Sequence, residues 1–346
     1  MLVFMEFTPT FINLITQVQT EADAYKLIED MRWGPDRERQ TCPKCGSDRK
    51  FYFIKPKEGD TRKTNRGTAT QRRRWKCSDC RHQFSVTVDT IFHGSKVSLK
   101  VWLLIISEMC TDKNGISARE IERKYNLTAK TAWYITHRIR EAMKRDPVAG
   151  LLSGRIQVDE TLIGGSVGNM HKSVRNPKEA KAVEPGERKG GPMFNKQIVL
   201  SLISEETGEV RSKVVPDVTA NTLEKALSEE LDLGNVQMVT DEMSSYKVIA
   251  NRTASHETVN HKNDEYVRTE DDGTVVTTNP IEAFFAQMKR SIDGTHHHVS
   301  KEHLARYLAE HDFRYSTREL SDAERMTQLM SNVGERRLSW RPLTQG

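Results

Sequence analysis

The chain has 346 residues, more than one hydrophobic core usually holds, so we expect two or more domains. Its 53 Lys and Arg residues against 48 Asp and Glu residues give a formal net charge of +5. No apolar run approaches the roughly 18 residues that cross a membrane, and the N-terminus lacks the basic region and cleavage site of a secretory signal. These features argue against a membrane or secreted protein and favour a cytoplasmic one.

The N-terminal region, residues 1–95, is predicted to hold a helix and a zinc site. Thr20 has the pattern of a helix N-cap, and Gly34 with Pro35 forms a stop signal, so a short packing helix is expected between them. Two C-x-x-C pairs follow, and four thiolates at such spacing can close a tetrahedral site around one Zn²⁺ ion. The four ligands are Cys42, Cys45, Cys77 and Cys80. The spacing favours a structural zinc ribbon, with residues 51–54 and 74–76 as the arms of a hairpin.

Positive charge is concentrated around these cysteine pairs. Residues 49–81 contain twelve Lys and Arg residues against three acidic residues, a local net charge of +9. Three consecutive arginines stand beside Trp75, and they are Arg72, Arg73 and Arg74. Such a run can be a solvated face of the hairpin, but next to a zinc ribbon it favours an arm that contacts DNA phosphates.

Residues 96–150 have the pattern of a helix-turn-helix. Ser117 begins one short helix with a capping box, Asn126 and Leu127 interrupt it, and Thr128 caps a second helix. Two helices with so short a turn are typical of DNA-binding modules, although plain helical bundles contain similar pairs. If the second helix enters a major groove, the side chains it presents are Lys130, Thr131, Tyr134 and Arg138.

Residues 151–320 are predicted to form an RNase-H-like domain. Three strands, the first ending near Val158, are followed by a helix over residues 220–231, then by a strand, a helix, a strand and a helix. In that order the first strand, the fourth strand and the last helix converge at one end of the sheet. This convergence gathers three acids, which are Asp159, Asp241 and Glu282. The expected fold class is therefore α+β and multidomain, with a zinc ribbon, a helix-turn-helix, an RNase-H-like catalytic domain with a mixed sheet, and a C-terminal helix and tail over residues 321–346.

Three carboxylates on rigid elements are hard oxygen donors that suit a pair of Mg²⁺ ions, for which Mn²⁺ can substitute. An Asp after one strand is most often a turn residue or a helix cap, so the interpretation depends on the three acids together. Glu160 and Glu242 each follow one of the aspartates and point to the other side of an extended chain, so we expect them to be solvated.

A long segment between the first two strands, residues 165–196, carries seven cations against three acids. It can be a solvated linker or a loop that folds over nucleic acid. We favour the second interpretation because the segment starts beside Asp159.

Several motifs together resemble one family. They are Val158-Asp159-Glu160-Thr161-x-x-Gly164-Gly165, Thr240-Asp241-Glu242, Ser255-His256-Glu257-Thr258-Val259-Asn260-His261 and Thr278-Asn279-x-Ile281-Glu282-x-Phe284-Phe285-x-x-x-Lys289-Arg290. With the two C-x-x-C pairs, residues 20–318 resemble prokaryotic insertion-sequence transposases of the DDE class, the ISXO-type family. The resemblance implies an enzyme that binds the inverted-repeat ends of its element in double-stranded DNA, hydrolyses the phosphodiester there and joins the 3′-OH to target DNA.

The resemblance also implies roles for particular residues. Glu282 is favoured as the third metal ligand after the two aspartates, and Asn279 is the alternative because an Asn replaces the final Glu in some relatives. Lys289 and Arg290, two turns along the same helix, would hold a DNA phosphate near the site. Joining needs two ends at once, so a homodimer or larger assembly on DNA is expected, associated with the prokaryotic nucleoid.

Two other classes of function are open. A DNA-binding regulator needs only the zinc ribbon and the helix-turn-helix, and it has no use for three acids at one sheet edge. An RNase-H-like nuclease without transposition keeps the acids but does not require two separate DNA-binding modules. The sequence contains both features, and for this reason transposition is favoured.

Overall fold

The structure, a computed structural model, describes residues 11–64, 66–145, 150–165, 196–260, 267–271 and 273–344. It divides into two compact units, of which the first joins residues 1–144 to residues 318–346 and the second spans residues 145–317. The basic loop predicted over residues 165–196 lies outside the described residues except at its two ends, and so does His261. Among the described helices, none is long and apolar enough to cross a membrane.

The first unit begins with two helices and a small antiparallel sheet. They are α1 (Phe11–Gln17), α2 (Glu21–Trp33), β1 (Phe51–Phe53), β2 (Trp75–Cys77) and β3 (Gln83–Phe84). The predicted start of α2 is confirmed, because Thr20 and Asp23 form a reciprocal capping box. The predicted hairpin is also present, with Phe53 opposite Trp75 in antiparallel register.

Three further helices form the rest of this N-terminal part, and they are α3 (Leu99–Thr111), α4 (Ala118–Tyr125) and α5 (Ala129–Met143). Asn126 adopts the left-handed conformation, with φ 50° and ψ 46°, which ends α4. The side chain of Thr128 accepts the N–H of Thr131 and so caps α5. The two helices and the short turn of the predicted helix-turn-helix are therefore present.

The second unit is built on a five-stranded mixed sheet. Its elements in chain order are β4 (Leu152–Ile163), β5 (Gln197–Ser204), β6 (Val210–Val215), α6 (Ala220–Ser228), β7 (Leu231–Asp241), α7 (Ser244–Ala250) and β8 (Ser255–Val259). The strand order is β6-β5-β4-β7-β8. The pairs β4–β5 and β5–β6 are antiparallel, whereas β4–β7 and β7–β8 are parallel. This mixed sheet is the arrangement expected for the predicted RNase-H-like domain.

The predicted helix over residues 220–231 is wrong at its C-terminal end. The helix stops at Ser228, and Leu231 opens β7, where it pairs with Leu152. Leu231 and Leu233 are buried while Asp232 and Gly234 are exposed, an alternation of period two that belongs to a strand. The cause is tertiary, because β4 lies beside these residues and gives their backbone a ladder to join.

A small hairpin and two helices complete the second unit, and they are β9 (Val267–Thr269), β10 (Val275–Thr277), α8 (Asn279–Ser291) and α9 (Lys301–Ser316). Separate apolar clusters cover the two faces of the sheet. Ile156 and Val158 of β4 join the cluster that contains Tyr246 of α7. Val199 of β5 joins the other cluster, which contains Phe284 of α8. Because side chains alternate along a strand, Gln157 and Asp159 of β4 lie on the other face, which α8 covers.

The last two helices, α10 (Asp322–Ser331) and α11 (Trp340–Thr344), belong to the first unit. Arg325 of α10 donates to the carbonyl of Cys110 in α3 at 2.6 Å. The N–H of Ile91 donates to the carbonyl of Val333 at 3.2 Å. The C-terminal residues therefore supply backbone and side-chain partners to segments more than 200 positions earlier in the chain.

Candidate active site and zinc centre

Asp159 and Asp241 lie at the carboxyl ends of two neighbouring parallel strands. Gln157 of β4 is opposite Val239 of β7. Each aspartate stands two residues further along its strand, so the two side chains leave the same face of the sheet. Neighbouring strands are about 4.8 Å apart, which brings the two carboxylates close together.

Helix α8 brings Glu282 to the same face. The N–H of Ile281, in the first turn of the helix, donates to Oε1 of Gln157 at 3.3 Å. Glu282 follows directly, and its Oε1 accepts a hydrogen bond from Oγ1 of the buried Thr278 at 3.1 Å. Two aspartates on strands and one glutamate on a helix therefore meet at one edge of the sheet.

The acids interact electrostatically. Burial and the negative charges of Glu160, Asp241 and Glu282 together raise the pKa of Asp159 to about 7, although the N–H of Glu160 donates a hydrogen bond to Asp159 that lowers this pKa. A group of carboxylates that repel one another in a half-buried position favours the binding of cations.

The three carboxylates are candidate ligands of divalent cations. Among the described residues, the group of possible metal ligands whose atoms all lie within 4.8 Å of one another is that of the four cysteines, and the three acids are not part of it. Two Mg²⁺ ions about 4 Å apart, each about 2 Å from its oxygens, accept ligand atoms up to about 8 Å apart. The donor set, three hard oxygens with mutual repulsion, also matches the ligands that Mg²⁺ prefers.

Glu160 corrects the expectation that it is solvated. It is only partly exposed, its carboxylate accepts a hydrogen bond from the hydroxyl of the fully buried Tyr246 at 2.5 Å, and burial raises its pKa. Glu242 is exposed, as expected. The difference arises because α7 places Tyr246 beneath the end of β4, whereas Glu242 lies in the turn after β7.

The crowding of the acids predicts that Asp159→Asn stabilises the protein without divalent cations. Because the pKa of Asp159 is raised from 3.8 to about 7 in the folded state, folding stability falls as pH rises through that interval. Each pKa unit of difference between the folded and the unfolded state corresponds to about 1.4 kcal/mol of unfolding free energy. We therefore expect Asp159→Asn to melt several degrees above wild type at pH 8 in EDTA. At pH 4 the two proteins should melt at nearly the same temperature. Thermal unfolding monitored by circular dichroism measures this difference.

The control for that measurement is Glu242→Gln, which removes an exposed carboxylate one residue after Asp241. It should leave the melting temperature unchanged at both pH values. An Asp159→Asn variant that melts at or below the wild-type temperature at pH 8 would contradict the crowding of charge at this site.

The four cysteines of the N-terminal pairs form one cluster. Sγ of Cys42 lies 3.6 Å from Sγ of Cys80, and Sγ of Cys45 lies 3.8 Å from Sγ of Cys77. A tetrahedral site with Zn–S distances of about 2.3 Å has sulfur–sulfur edges of about 3.8 Å, so the cluster fits Zn²⁺. Burial would raise the pKa of the Cys42 thiol, but hydrogen bonds from the N–H groups of Cys45 and Lys44 bring it down to about 7. At Cys45 a backbone hydrogen bond at Ser47 lowers the pKa, but contacts with the other thiols of the cluster raise it to about 12.

Comparison with protein families agrees with both sites. Residues 151–316, which carry the three acids, match the model of the ISXO2-like transposase domain. Residues 19–83, which carry the four cysteines, match the transposase zinc-ribbon domain, and the two matches together cover about two thirds of the chain. The chain belongs to the ISXO2-like transposases. A comparison with curated proteins found no match.

The family is that of DDE transposases with an N-terminal zinc ribbon, as the sequence motifs indicated. Along α8 of this ISXO2-like transposase, Glu282 is partly exposed, whereas Asn279, Lys289 and Arg290 are exposed. The N–H of Asn279 donates to Oγ1 of Thr277 at 3.1 Å. The three exposed side chains are therefore accessible to a ligand, and Glu282 is the one that interacts with Asp159.

In the zinc ribbon of the transposase, Arg73 does not occupy the exposed position predicted for it. Its Nε donates to Oε2 of Glu29 at 2.8 Å, and its guanidinium lies 4.7 Å from the ring centre of Phe53. Glu29 is completely buried and also accepts Nε1–H of Trp75 at 2.9 Å. Arg73 therefore neutralises a buried acid, which explains why it turns inward while Arg72 and Arg74 are exposed.

The two exposed arginines line an open groove of about 270 Å³ in the insertion between the cysteine pairs. Its walls are formed by Arg62, Lys63, Thr64, Ala69, Arg72 and Arg74. Asp60 pairs with Arg62 at 2.6 Å, so four cations face the groove with one acid beside them. The contribution of Arg62 and Lys63 to this surface was not predicted from the sequence.

Of the α5 side chains predicted to face a DNA major groove, some are exposed and others have partners within the first unit. Arg138 is 2% exposed and donates to the carbonyl of His93 at 2.6 Å, so its predicted contact with DNA is wrong in this structure. The hydroxyl of Tyr134 donates to the carbonyl of Leu338 at 2.6 Å. Trp340 of α11 packs edge-on against the ring of Tyr134 at 5.2 Å. The C-terminal segment therefore covers the middle of this helix.

Lys130 and Thr131 lie at the beginning of α5. Lys130 is exposed, with its Nζ 4.5 Å from the ring centre of Trp340. The hydroxyl of Thr131 is hydrogen-bonded to that of Thr128 at 2.9 Å. Of the four predicted side chains, Lys130 is thus the most accessible and Arg138 the least.

Three residues of these sites were missed from the sequence, and they are Gln157, Tyr246 and Glu29. Gln157 carried a usable signal, because a polar residue between Ile156 and Val158 in a strand buried on both faces needs a partner. Glu29 and Tyr246 carried no comparable signal, since acids are mostly exposed in proteins and tyrosines are found both buried and exposed.

Proposed function

We propose that this transposase cleaves DNA at the ends of an insertion sequence and joins the freed 3′-OH to target DNA. The observation that carries the proposal is the meeting of Asp159 and Asp241 with the first turn of α8 on one face of the sheet. The mutual electrostatic effect of Asp159, Asp241 and Glu282 supports a shared cation site there.

Asp159, Asp241 and Glu282 would hold two Mg²⁺ ions, and Mn²⁺ would substitute for them. We propose Glu282 rather than Asn279 as the third ligand. The carboxylate of Glu282 is negatively charged and attracts Mg²⁺ more strongly than the neutral amide of Asn279 does. The exposed side chain of Asn279 lies one turn earlier on the same helix and serves as a helper that contacts substrate.

Bound divalent cations supply Lewis-acid polarisation of the scissile phosphate and activation of a water or a 3′-hydroxyl. The chain itself contributes position and charge, with no covalent intermediate. Lys289 and Arg290, exposed near the end of α8, would hold a phosphate of the same strand. Both reaction steps would then use one site, first with water and then with the DNA end as nucleophile.

The zinc ribbon and the beginning of α5 would bind the ends of the element. We assign phosphate contacts to Arg72 and Arg74, together with Arg62 and Lys63 of the same groove. In helix-turn-helix proteins the residues at the start of the second helix reach the bases, so Lys130 and Thr131 are the proposed contacts of α5. Joining requires two ends, so a dimer or larger assembly on DNA is part of the proposal.

The groove predicts that the double variant Arg72→Gln/Arg74→Gln binds end DNA more weakly and with less dependence on salt. Each phosphate contact contributes about 0.9 to the slope of log affinity against log salt concentration, so the slope should fall by about 2. Fluorescence anisotropy with labelled end DNA at several salt concentrations measures both quantities.

The contrasting variant is Arg73→Gln, which removes one of the two arginines that pair with buried Glu29, the other being Arg37 at 3.4 Å. It should lower the melting temperature of the protein while the salt slope stays at the wild-type value. A reduced slope for Arg73→Gln with an unchanged slope for the double variant would contradict the assignment of this groove.

The function is tested with purified protein, Mg²⁺ and DNA that carries the inverted repeats flanking the gene. We expect nicks at the repeat ends and products in which those ends are joined to a target duplex. Cleavage of any duplex without preference for the ends would indicate a nuclease. Specific binding with no cleavage in Mg²⁺ or Mn²⁺ would indicate a regulator, and either outcome would overturn the proposal.

A further inference from the structure

The first turn of α8 lacks the usual cap. The N–H groups of a first helical turn have no acceptor within the helix, and the side chain of the preceding residue often supplies one. Thr278 precedes α8, but its side chain accepts no backbone N–H of the helix. Its hydroxyl donates instead to Oε1 of Glu282 at 3.1 Å. The helix that carries the third acid therefore needs acceptors from elsewhere.

A side chain of β4 provides the missing acceptor. The N–H of Asn279 donates to Oγ1 of Thr277 at 3.1 Å, and Pro280 has no N–H. The next N–H, that of Ile281, donates to Oε1 of Gln157 at 3.3 Å. From Glu282 onward the bonds are within the helix. Each N–H of the turn is thus satisfied, and one of them only by Gln157.

The amide of Gln157 is fixed at its other end as well. Gln157 is completely buried, and its Nε2 donates to Oε1 of Glu205 at 2.7 Å. The other oxygen of Glu205 lies 2.9 Å from Nε of Arg155, which also pairs with Glu257 at 2.6 Å. With both polar ends engaged, the side chain of Gln157 has a defined orientation in the core.

Gln157 therefore connects the elements that carry two of the acids. Asp159 stands two residues further along β4 on the same face, and Glu282 follows Ile281 in the capped turn. Like charges on the two elements repel, and this repulsion acts to move the turn away from the strand. The buried hydrogen bond from the N–H of Ile281 to Oε1 of Gln157 opposes that movement.

We propose that Gln157 is a positioning residue that holds the first turn of α8, and with it Glu282, at a fixed distance from Asp159. The role rests on the proposed function of the acids as cation ligands. Gln157 contacts neither cation nor DNA in this proposal, and its effect passes through the backbone of Ile281. Residues that orient metal ligands typically change metal affinity or activity by about 10–100-fold when they are replaced.

The test compares Gln157→Leu with Leu227→Ala in otherwise intact protein. Gln157→Leu introduces an apolar side chain of similar size and removes both hydrogen bonds. Leu227→Ala creates a cavity in the cluster on the opposite face of the sheet, far from the α8 contact, and controls for general loss of stability. Melting temperatures establish that both variants are folded at the temperature of the experiment.

The first measurement is hydrogen exchange of the amides in the first turn of α8 without metal. We expect exchange there to be at least about tenfold faster in Gln157→Leu and unchanged in Leu227→Ala. The second measurement is Mn²⁺ binding by calorimetry. We expect affinity to fall about 10–100-fold in Gln157→Leu and to stay at the wild-type value in Leu227→Ala.

A double variant provides the rescue. In Gln157→Glu/Glu205→Gln, the new carboxylate accepts the N–H of Ile281, and the new amide at position 205 donates to that carboxylate. The hydrogen bonds of the wild type are restored with exchanged roles and the same net charge. We expect exchange rates and Mn²⁺ affinity to return most of the way to wild type.

Two results would contradict the role of Gln157, and a third would contradict the proposed function. Wild-type exchange in Gln157→Leu would overturn the inference, and so would wild-type Mn²⁺ affinity in that variant. Both of these results would leave the proposed function intact. A wild-type protein that binds Mn²⁺ no more tightly than Asp159→Asn would instead overturn the proposed function, and the metal-positioning role with it.

Discussion

Asp241→Asn is expected to abolish cleavage and joining of DNA ends while leaving DNA affinity close to wild type. The substitution keeps the size and shape of the side chain but removes its negative charge, and Mg²⁺ binds a neutral amide oxygen far less tightly than a carboxylate. We expect a loss of about 10³-fold or more in the rate of end cleavage, because charge stabilisation in the transition state depends on the bound cations. A gel assay with labelled end DNA measures cleavage, and anisotropy measures binding.

Glu242→Gln is the matched control, because it removes an adjacent carboxylate that is exposed. We expect it to cleave and join DNA at the wild-type rate. Equal activity in the two variants, whether retained or lost, would show that Asp241 has no special role. Loss of binding together with cleavage in Asp241→Asn would indicate misfolding, which circular dichroism at the assay temperature tests directly.

Cys77→Ser is expected to remove zinc and to disrupt the N-terminal ribbon. Cys77 is completely buried at the end of β2, and its Sγ lies 3.8 Å from that of Cys45. Three remaining thiolates hold Zn²⁺ much more weakly than four, and the binding energy of such structural sites, about 10–16 kcal/mol in isolated fingers, is also folding energy. Zinc per chain, measured by atomic absorption, should fall from one to near zero.

Loss of the ribbon should also reduce the affinity for end DNA by at least about tenfold, since the arginines of its groove would no longer be held together. Cys110→Ala is the control, because Cys110 is a buried thiol in α3 that does not belong to the cluster. It should retain one zinc per chain and bind DNA normally. Full zinc content in Cys77→Ser would contradict the four-cysteine site.

Much of the fold follows from local sequence. The capping box at Thr20 and the left-handed Asn126 are signals that depend on a few neighbouring residues, and both helix boundaries are confirmed. The spacing of the C-x-x-C pairs likewise predicts the four-cysteine cluster, which is present in the structure. The order of strands and helices along the second unit could be predicted because apolar runs separated by turn residues mark the strands and the order is that of an RNase-H-like fold.

Whether an individual charged side chain is exposed or buried could not be predicted in the same way. Arg73 and Arg138 have the composition of a DNA-binding surface, but each is turned inward by a partner distant in sequence. Glu29 lies 44 residues from Arg73, and His93 lies 45 residues from Arg138. A charged residue on an exposed hairpin or helix gives no local indication that a buried acceptor exists elsewhere. Glu160 is a third example, because its position in the sequence predicts a solvated side chain and its partner Tyr246 is 86 residues away.

The first unit is built from two stretches of the chain, residues 1–144 and 318–346, that are separated by the second unit. The N–H of Glu335 donates to the carbonyl of Asp89 at 2.8 Å, and Val333 accepts the N–H of Ile91. These partners are synthesised only after the whole sheet of the second unit. The inserted unit can therefore mature first on the nascent chain, in reverse of the usual N-terminal order. A frameshift or stop codon just after residue 317 would release a finished sheet attached to an incomplete first unit.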